Sequence, residues 1–273
     1  MNNPNWHDDV YFGIHYDFHA NETDTQLGSE LTHEHLRERL LLIKPDWIHC
    51  DCKGHRGYTS WPTQTGSTSP GVVRDSLRIH RDVTRELGIK LGVHYSGVWD
   101  NRAIELHPDW ARIDETGNRD PRITCRHSAY LDELMIPQLL ELIDRYDVDG
   151  FWVDGENWAS LPCWCQRCRD DFTRRTGLEN APLASSDPNW QSWLSYHRGL
   201  FCDHVTKYAN AVHARKPACL VCSSYMYGAR QPDPQMTGPI DYLSGDLDFR
   251  WGSHHAMLEA RVFDSRRKTW DLM

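Results

Sequence analysis

Apolar runs of strand length alternate along this chain of 273 residues with longer stretches of helical periodicity. The runs Val10–Phe18, Trp47–Cys52, Lys90–Ser96, Gly150–Gly155, Cys219–Tyr225 and Tyr242–Asp246 are rich in β-branched and aromatic residues and predict strands. Thr269–Met273 begins as a further one. Between them, Leu31, Leu36, Leu40 and Ile43 mark the first helical face. A second helix is expected from about Val72 to Leu87, opened by Ser69 and Pro70 as N-cap and first-turn residue. A third is expected from Ser128 to Tyr146 with a kink at Pro137. Gln166–Thr176 and Trp190–Ala214 complete the series.

Strands alternating with helices imply parallel β/α units joined by right-handed crossovers. The length suits a (β/α)8 barrel, which takes ~250 residues. The expectation is therefore one α/β domain over residues 1–273, a TIM barrel truncated near its seventh strand. A doubly wound open sheet competes, but no glycine-rich phosphate loop follows the first strand.

Charge narrows the partners. A net charge of -9 argues against a nucleic-acid or anionic-membrane surface. No apolar run reaches the ~18–20 residues that span a bilayer, and the N-terminus lacks the basic and apolar regions of a signal peptide. With nine cysteines, an odd number, the chain reads as a cytoplasmic protein with free thiols. A homo-oligomer stays open. The 12 tryptophans suit either a core or a groove that stacks on sugar rings.

In such barrels the chemistry gathers at the C-terminal ends of the strands. Those ends read His15-Tyr-Asp17-Phe-His19, His49-Cys-Asp51-Cys-Lys53-Gly-His55, His94-Tyr95-Ser96, Asp154-Gly-Glu156 and Ser244-Gly-Asp246. Asp154 follows an apolar strand and precedes a glycine that frees the backbone to turn. A carboxylate there can attack an anomeric carbon, or it can simply cap the next helix. Glycoside hydrolysis needs a second carboxyl group, and Asp246 and Glu156 are the candidates.

The segment IPQLLELIDRYDVDGFWVDG (136–155) resembles the stretch of family 29 α-L-fucosidases that ends in their nucleophilic aspartate, a role the resemblance gives to Asp154. FGIH (12–15) resembles that family's first-strand motif, which implies a sugar-binding His15. GIKLGVHYSG (88–97) resembles its third-strand motif and implies that His94 and Tyr95 lie beside the sugar. KGHRGYTSW (53–61) resembles its Lys-His-His-Asp-Gly-Phe motif, with Gly54, Arg56 and Tyr58 as departures; it implies that His55 binds the sugar and Trp61 stacks on it. The implied enzyme is a retaining glycosidase acting on a terminal sugar.

Cys163-Trp-Cys165-Gln-Arg-Cys168 has the density of a structural zinc site, with Cys125 as the fourth thiolate, or else is a cluster of plain thiols. The segment CWCQRCRDDF also resembles the zinc segment of family 42 β-galactosidases, which implies a closed zinc site with no role in catalysis. Other readings are a β-galactosidase-like glycosidase, a non-catalytic sugar-binding barrel, and a metal-dependent hydrolase using His15, Asp17, His19, His55 and Asp154.

Overall fold

The computed structural model describes residues 5–155, 161–223, 239–245, 250, 252–265 and 269–272. Five strands form the parallel body of a seven-stranded sheet in which spatial order follows sequence order: β1 (Gly13–Tyr16), β2 (Trp47–Lys53), β3 (Lys90–Ser96), β4 (Gly150–Asp154) and β5 (Leu220–Ser223). Two two-residue strands, Tyr58–Thr59 and Ser67–Thr68, are added beside the end of β2, the first of them antiparallel to it. Two further strands, β6 (Leu243–Gly245) and β7 (Trp270–Leu272), pair in parallel with each other. Asp241 N donates to Val221 O at 2.8 Å, tying the approach to β6 against β5. His7 and Asp271 meet at 2.8 Å, so β7 returns to the segment that precedes β1. Among the described residues no strand ladder joins β5 to β6 or β7 to β1. Where the pattern predicts a TIM barrel truncated near its seventh strand, the described residues form an open series that turns back on itself, in a mixed α/β fold.

Helices α1 (His33–Ile43), α2 (Ser76–Leu87), α3 (Asn101–Leu106), α4 (Ile136–Tyr146), α5 (Gln166–Thr176), α6 (Trp190–Arg215) and α7 (Gly252–Asp264) lie between the strands. Thr32 caps α1 by accepting from His35 N. The start of α2 corrects the sequence reading. Asp75 is the cap, accepting from Arg78 N, whereas Ser69 and Pro70 lie in the loop before it. Pro137 lies within the expected helix, which runs unbroken from a π-helical turn over Leu131–Met135 into α4; the wider turn just before the proline is where the ladder adjusts to its missing N–H. The pattern had not revealed α7.

Side-chain alternation along the strands sorts the interior into two layers. Ile48, Cys50 and Cys52 of β2, Leu91, Val93 and Tyr95 of β3, and Phe151 and Val153 of β4 join the main core, together with residues of α1, α2, α4 and α6. The opposite faces carry Trp47, Trp152, Leu220 and Cys222, which pack with Trp6 and Tyr242. A separate small core holds Trp164, Phe172, Trp193 and Tyr196 around the cysteines between β4 and α6.

Candidate active site

The layered alternation brings a set of titratable side chains together. On β2, His49 and Asp51 share the face of Trp47; on β3, His94 takes the same face, and on β4, Trp152 and Asp154 do. His15 of β1 completes the row, with its Nδ1 2.9 Å from Nδ1 of His49. Gly92 leaves the space that His49 uses: a Cβ on it would lie 3.0 Å from His49 Cδ2. Beyond the strand ends, Asp17 and His19 lean over the same space. His19 stacks on His94 at 5.3 Å and comes within 3.7 Å of Asp51.

Asp154 lies at the centre. It is buried, and its Oδ2 is 3.4 Å from both His94 Nε2 and His55 Nε2. Its Oδ1 has no hydrogen-bond partner among the described residues, and neither has Oδ2 of Asp51. Gly155, at φ +69°, takes the left-handed turn that L side chains disfavour. A Cβ there would sit 3.1 Å from His55 Cε1.

The electrostatics follow from contacts. Burial opposes ionisation of Asp154, but the hydrogen bond and charge of His94, with His55 behind it, outweigh this and hold its carboxyl below the usual range. Burial also opposes charge on His94. Asp51, 2.9 Å from Nδ1, and Asp154 at Nε2 overcome that and push it up to about 10. Both its ring nitrogens therefore donate. Burial instead pulls His55 down to about 4 despite Asp154, helped by His19, His94 and Lys53. His49 is lowered by burial first, then by His15 and His94.

These shifts have a stability sign. The raised pKa of His94 gives stability that is fully present below its unfolded value near 6.5 and is lost as pH rises through about 10. The lowered pKa of Asp154 gives stability present above the unfolded value of 3.8 and lost as pH falls through the folded one. Urea unfolding between pH 7 and 10 should show wild-type stability declining, with a shallower slope for His94→Gln. Equal slopes would remove His94 from the charged centre.

The fold therefore brings His15, His55, His94 and Asp154 together. Two expectations are corrected. Trp61 is fully buried in the main core, with Nε1 donating to Glu141 at 3.3 Å, so its ring has no face open to a ligand. Tyr95, the neighbour of His94 on a strand, must point the other way; its hydroxyl donates to Gln138 at 2.6 Å beside α4. Tyr95→Phe should cost about 1 kcal/mol in unfolding free energy and leave KM unchanged. A raised KM at unaltered stability would return Tyr95 to the site. Glu156 and Asp246 lie outside the described residues.

Asp51 and His49 were read as strand-end residues but not as part of the site, and His19 only as a ligand in the metal-dependent reading. Counting by twos from Trp47 would have placed His49 and Asp51 on one face. The ring of Trp99, stacked on His55 at 4.5 Å, had no sequence signal.

Two groups could hold a metal. Ligand atoms of His19, Asp51 and His94 all lie within 4.8 Å of one another, with His94 Nδ1 2.9 Å from Asp51 and Nε2 3.4 Å from Asp154, so a metal there would have to displace the His94 proton. Cys125, Cys163, Cys165 and Cys168 are a better donor set. Their sulfurs fall within the same limit, and Cys125 Sγ is 3.6 Å from Sγ of both Cys165 and Cys168. Disulfides would need ~2.05 Å; a tetrahedron with Zn–S of ~2.3 Å has S···S edges of about 3.8 Å.

The comparisons agree in direction. A family model described as Alpha-L-fucosidase matches residues 46–198, which include β2, β3 and β4. The tissue alpha-L-fucosidase of Bos taurus is 29% identical over 107 residues, covering 38% of this chain and 20% of that protein. The alpha-L-fucosidase of Dictyostelium discoideum is 23% identical over 185 residues, 64% of this chain and 37% of that one. The solved alpha-L-fucosidase isoenzyme 2 from Paenibacillus thiaminolyticus superposes with a TM-score of 0.65 at 25% identity, over 78% of this chain and 32% of that one. The chain thus spans between a fifth and two fifths of the length of these curated relatives.

Proposed function

The chain belongs to the α-L-fucosidase family, and from that premise we propose that it is a glycoside hydrolase that removes a terminal α-L-fucose or a closely related sugar with retention of configuration. The observation that carries the reading is Asp154: a buried strand-end carboxylate, kept ionised by His94, with one oxygen unpartnered among the described residues.

In this reading Asp154 Oδ1 attacks the anomeric carbon as the bond to the leaving oxygen breaks, giving a glycosyl-enzyme. A second carboxyl group, Glu156 or Asp246, protonates the leaving oxygen and then takes a proton from the attacking water. His15 and His55 bind sugar hydroxyls, and the charged His94 keeps Asp154 from protonating. The strand order in sequence, with β7 returning beside the segment before β1, supports a (β/α)8 barrel as the frame. Release of aryl alcohol from an aryl α-L-fucoside, with the α-anomer of the sugar appearing first by NMR, tests the proposal. Release of the β-anomer first would replace retention by inversion.

The cysteine cluster fits a structural Zn2+ held by Cys125, Cys163, Cys165 and Cys168. Four thiolates would close its coordination, so it would hold chain and leave no position for substrate. It ties the hairpin of Ala111–Ile113 and Arg119–Thr124 to the connection that follows β4.

A metal-dependent hydrolysis is the second reading, favoured only by the approach of His19, Asp51 and His94. It predicts turnover lost to a chelator and restored by a divalent ion. The glycosidase reading predicts turnover unchanged over minutes of chelation.

A further inference from the structure

Ser96 ends β3, fully buried, and has one hydroxyl proton to give. Its Oγ is 2.7 Å from the carbonyl oxygen of Trp99 and 2.7 Å from Nδ1 of His55. A carbonyl oxygen only accepts. Were the Ser96 proton turned to His55 instead, two oxygen lone-pair regions would face each other at 2.7 Å with no proton between them. The proton therefore goes to Trp99, and Oγ accepts from the ring.

We infer that Ser96 is a positioning residue that holds His55 as the Nδ1–H tautomer, so that Nε2 presents a lone pair towards Asp154 and accepts a hydroxyl proton from a polyhydroxylated ligand. The ligand class rests on the proposed function; the tautomer does not. Nε2 and Asp154 Oδ2 stand 3.4 Å apart, and in this state both are acceptors. Two acceptors at this distance repel, and a hydroxyl that donates its proton to one of them offsets that. A ligand hydroxyl is such a donor, whereas hydrogen or fluorine at the same position is not. Burial keeps the ring neutral, which agrees with this assignment.

The surroundings leave the ring little freedom to flip. Trp99 covers one side at 4.5 Å and His19 meets its edge at 5.1 Å. The serine is itself anchored. Lys53, fully buried, donates to Ser96 O at 2.9 Å and to Asp100 at 2.8 Å. Gly97 N donates to Asp154 O at 2.7 Å, so the ends of β3 and β4 are tied together. The polarity of one histidine nitrogen thus traces back to a serine that itself meets no ligand.

The test is 15N NMR of histidine-labelled protein, with the His55 signals assigned by their loss in His55→Asn. The expected wild-type spectrum has His55 as the Nδ1–H tautomer at pH 7. In Ser96→Ala the signals move towards a tautomer mixture, and L-fucose affinity by calorimetry falls about tenfold, the size of one lost hydrogen bond. Ser96→Thr, which restores the hydroxyl, recovers affinity to within about threefold. A wild-type His55 in the Nε2–H form overturns the inference, even if Ser96→Ala does not fold. So does a folded Ser96→Ala with wild-type tautomer and affinity. An Nδ1–H ring in a wild-type protein that ignores L-fucose upholds the role of Ser96 and counts against the fucosidase reading alone.

Discussion

Asp154→Ala lowers kcat/KM on an aryl α-L-fucoside by at least about a thousandfold, and added azide restores part of the lost turnover. The size follows from the role proposed for the carboxylate. Without it no glycosyl-enzyme forms, and a loss of this order corresponds to more than about 4 kcal/mol of transition-state stabilisation. Azide is small enough to enter the space that the side chain leaves and to attack the anomeric carbon from the same side. The product is then the glycosyl azide of inverted configuration. Binding should survive better than turnover. His94 and His55 remain, although His94 loses one of the two carboxylates that hold its charge. Equal activity in both proteins would remove Asp154 from the mechanism. A deep loss that azide cannot touch would point to the acid/base role, or to inversion.

The second large effect concerns the four cysteines. The purified protein should carry one zinc per chain by plasma mass spectrometry. Cys168→Ser should abolish that content and lower Tm by roughly 10 °C or more, since losing a structural metal is among the few single changes that cost more than ~4 kcal/mol. The small core around Trp164, Phe172, Trp193 and Tyr196 is also held to the hairpin by Trp164 N donating to Ile113 O and by Arg112 donating to Pro162 O, bonds each worth about 1 kcal/mol, well below a structural metal. Cobalt substituted for zinc should give the intense visible bands of tetrahedral thiolate ligation. Protein without metal, and an unchanged Tm in the serine variant, would leave the cluster as packed thiols. Activity is a separate readout, because a site closed by four thiolates would leave no position for substrate.

Alternation along each strand connects the two levels of description. It was legible that Asp154 ends an apolar strand, and that His15, His55 and His94 recur at comparable positions. The same rule, applied strictly, separates His94 from Tyr95, because neighbours on a strand face opposite sides. The motif resemblance placed both beside the sugar; burial against Gln138 shows which of them stays in the core. Trp61 is the parallel case. An aromatic in a loop rich in Gly, Ser and Thr reads as a groove residue, but Glu141 on α4 captures its indole N–H and the core closes over it.

By itself the sequence determined the α/β alternation, the strand that carries Asp154, and Cys163, Cys165 and Cys168 as one group, because periodicity and close spacing are local properties of a chain; that Cys125 joins them was decided by the fold. Only the tertiary structure decided which titratable groups touch. Asp51 reaches His94 across 43 residues, and Asp154 reaches it across 60. Charge on His94, neutrality of His55 and the proton assignment at Ser96 all depend on those distances and on burial. Coulombic and desolvation energies are set by position in space, and spacing along the chain does not encode them.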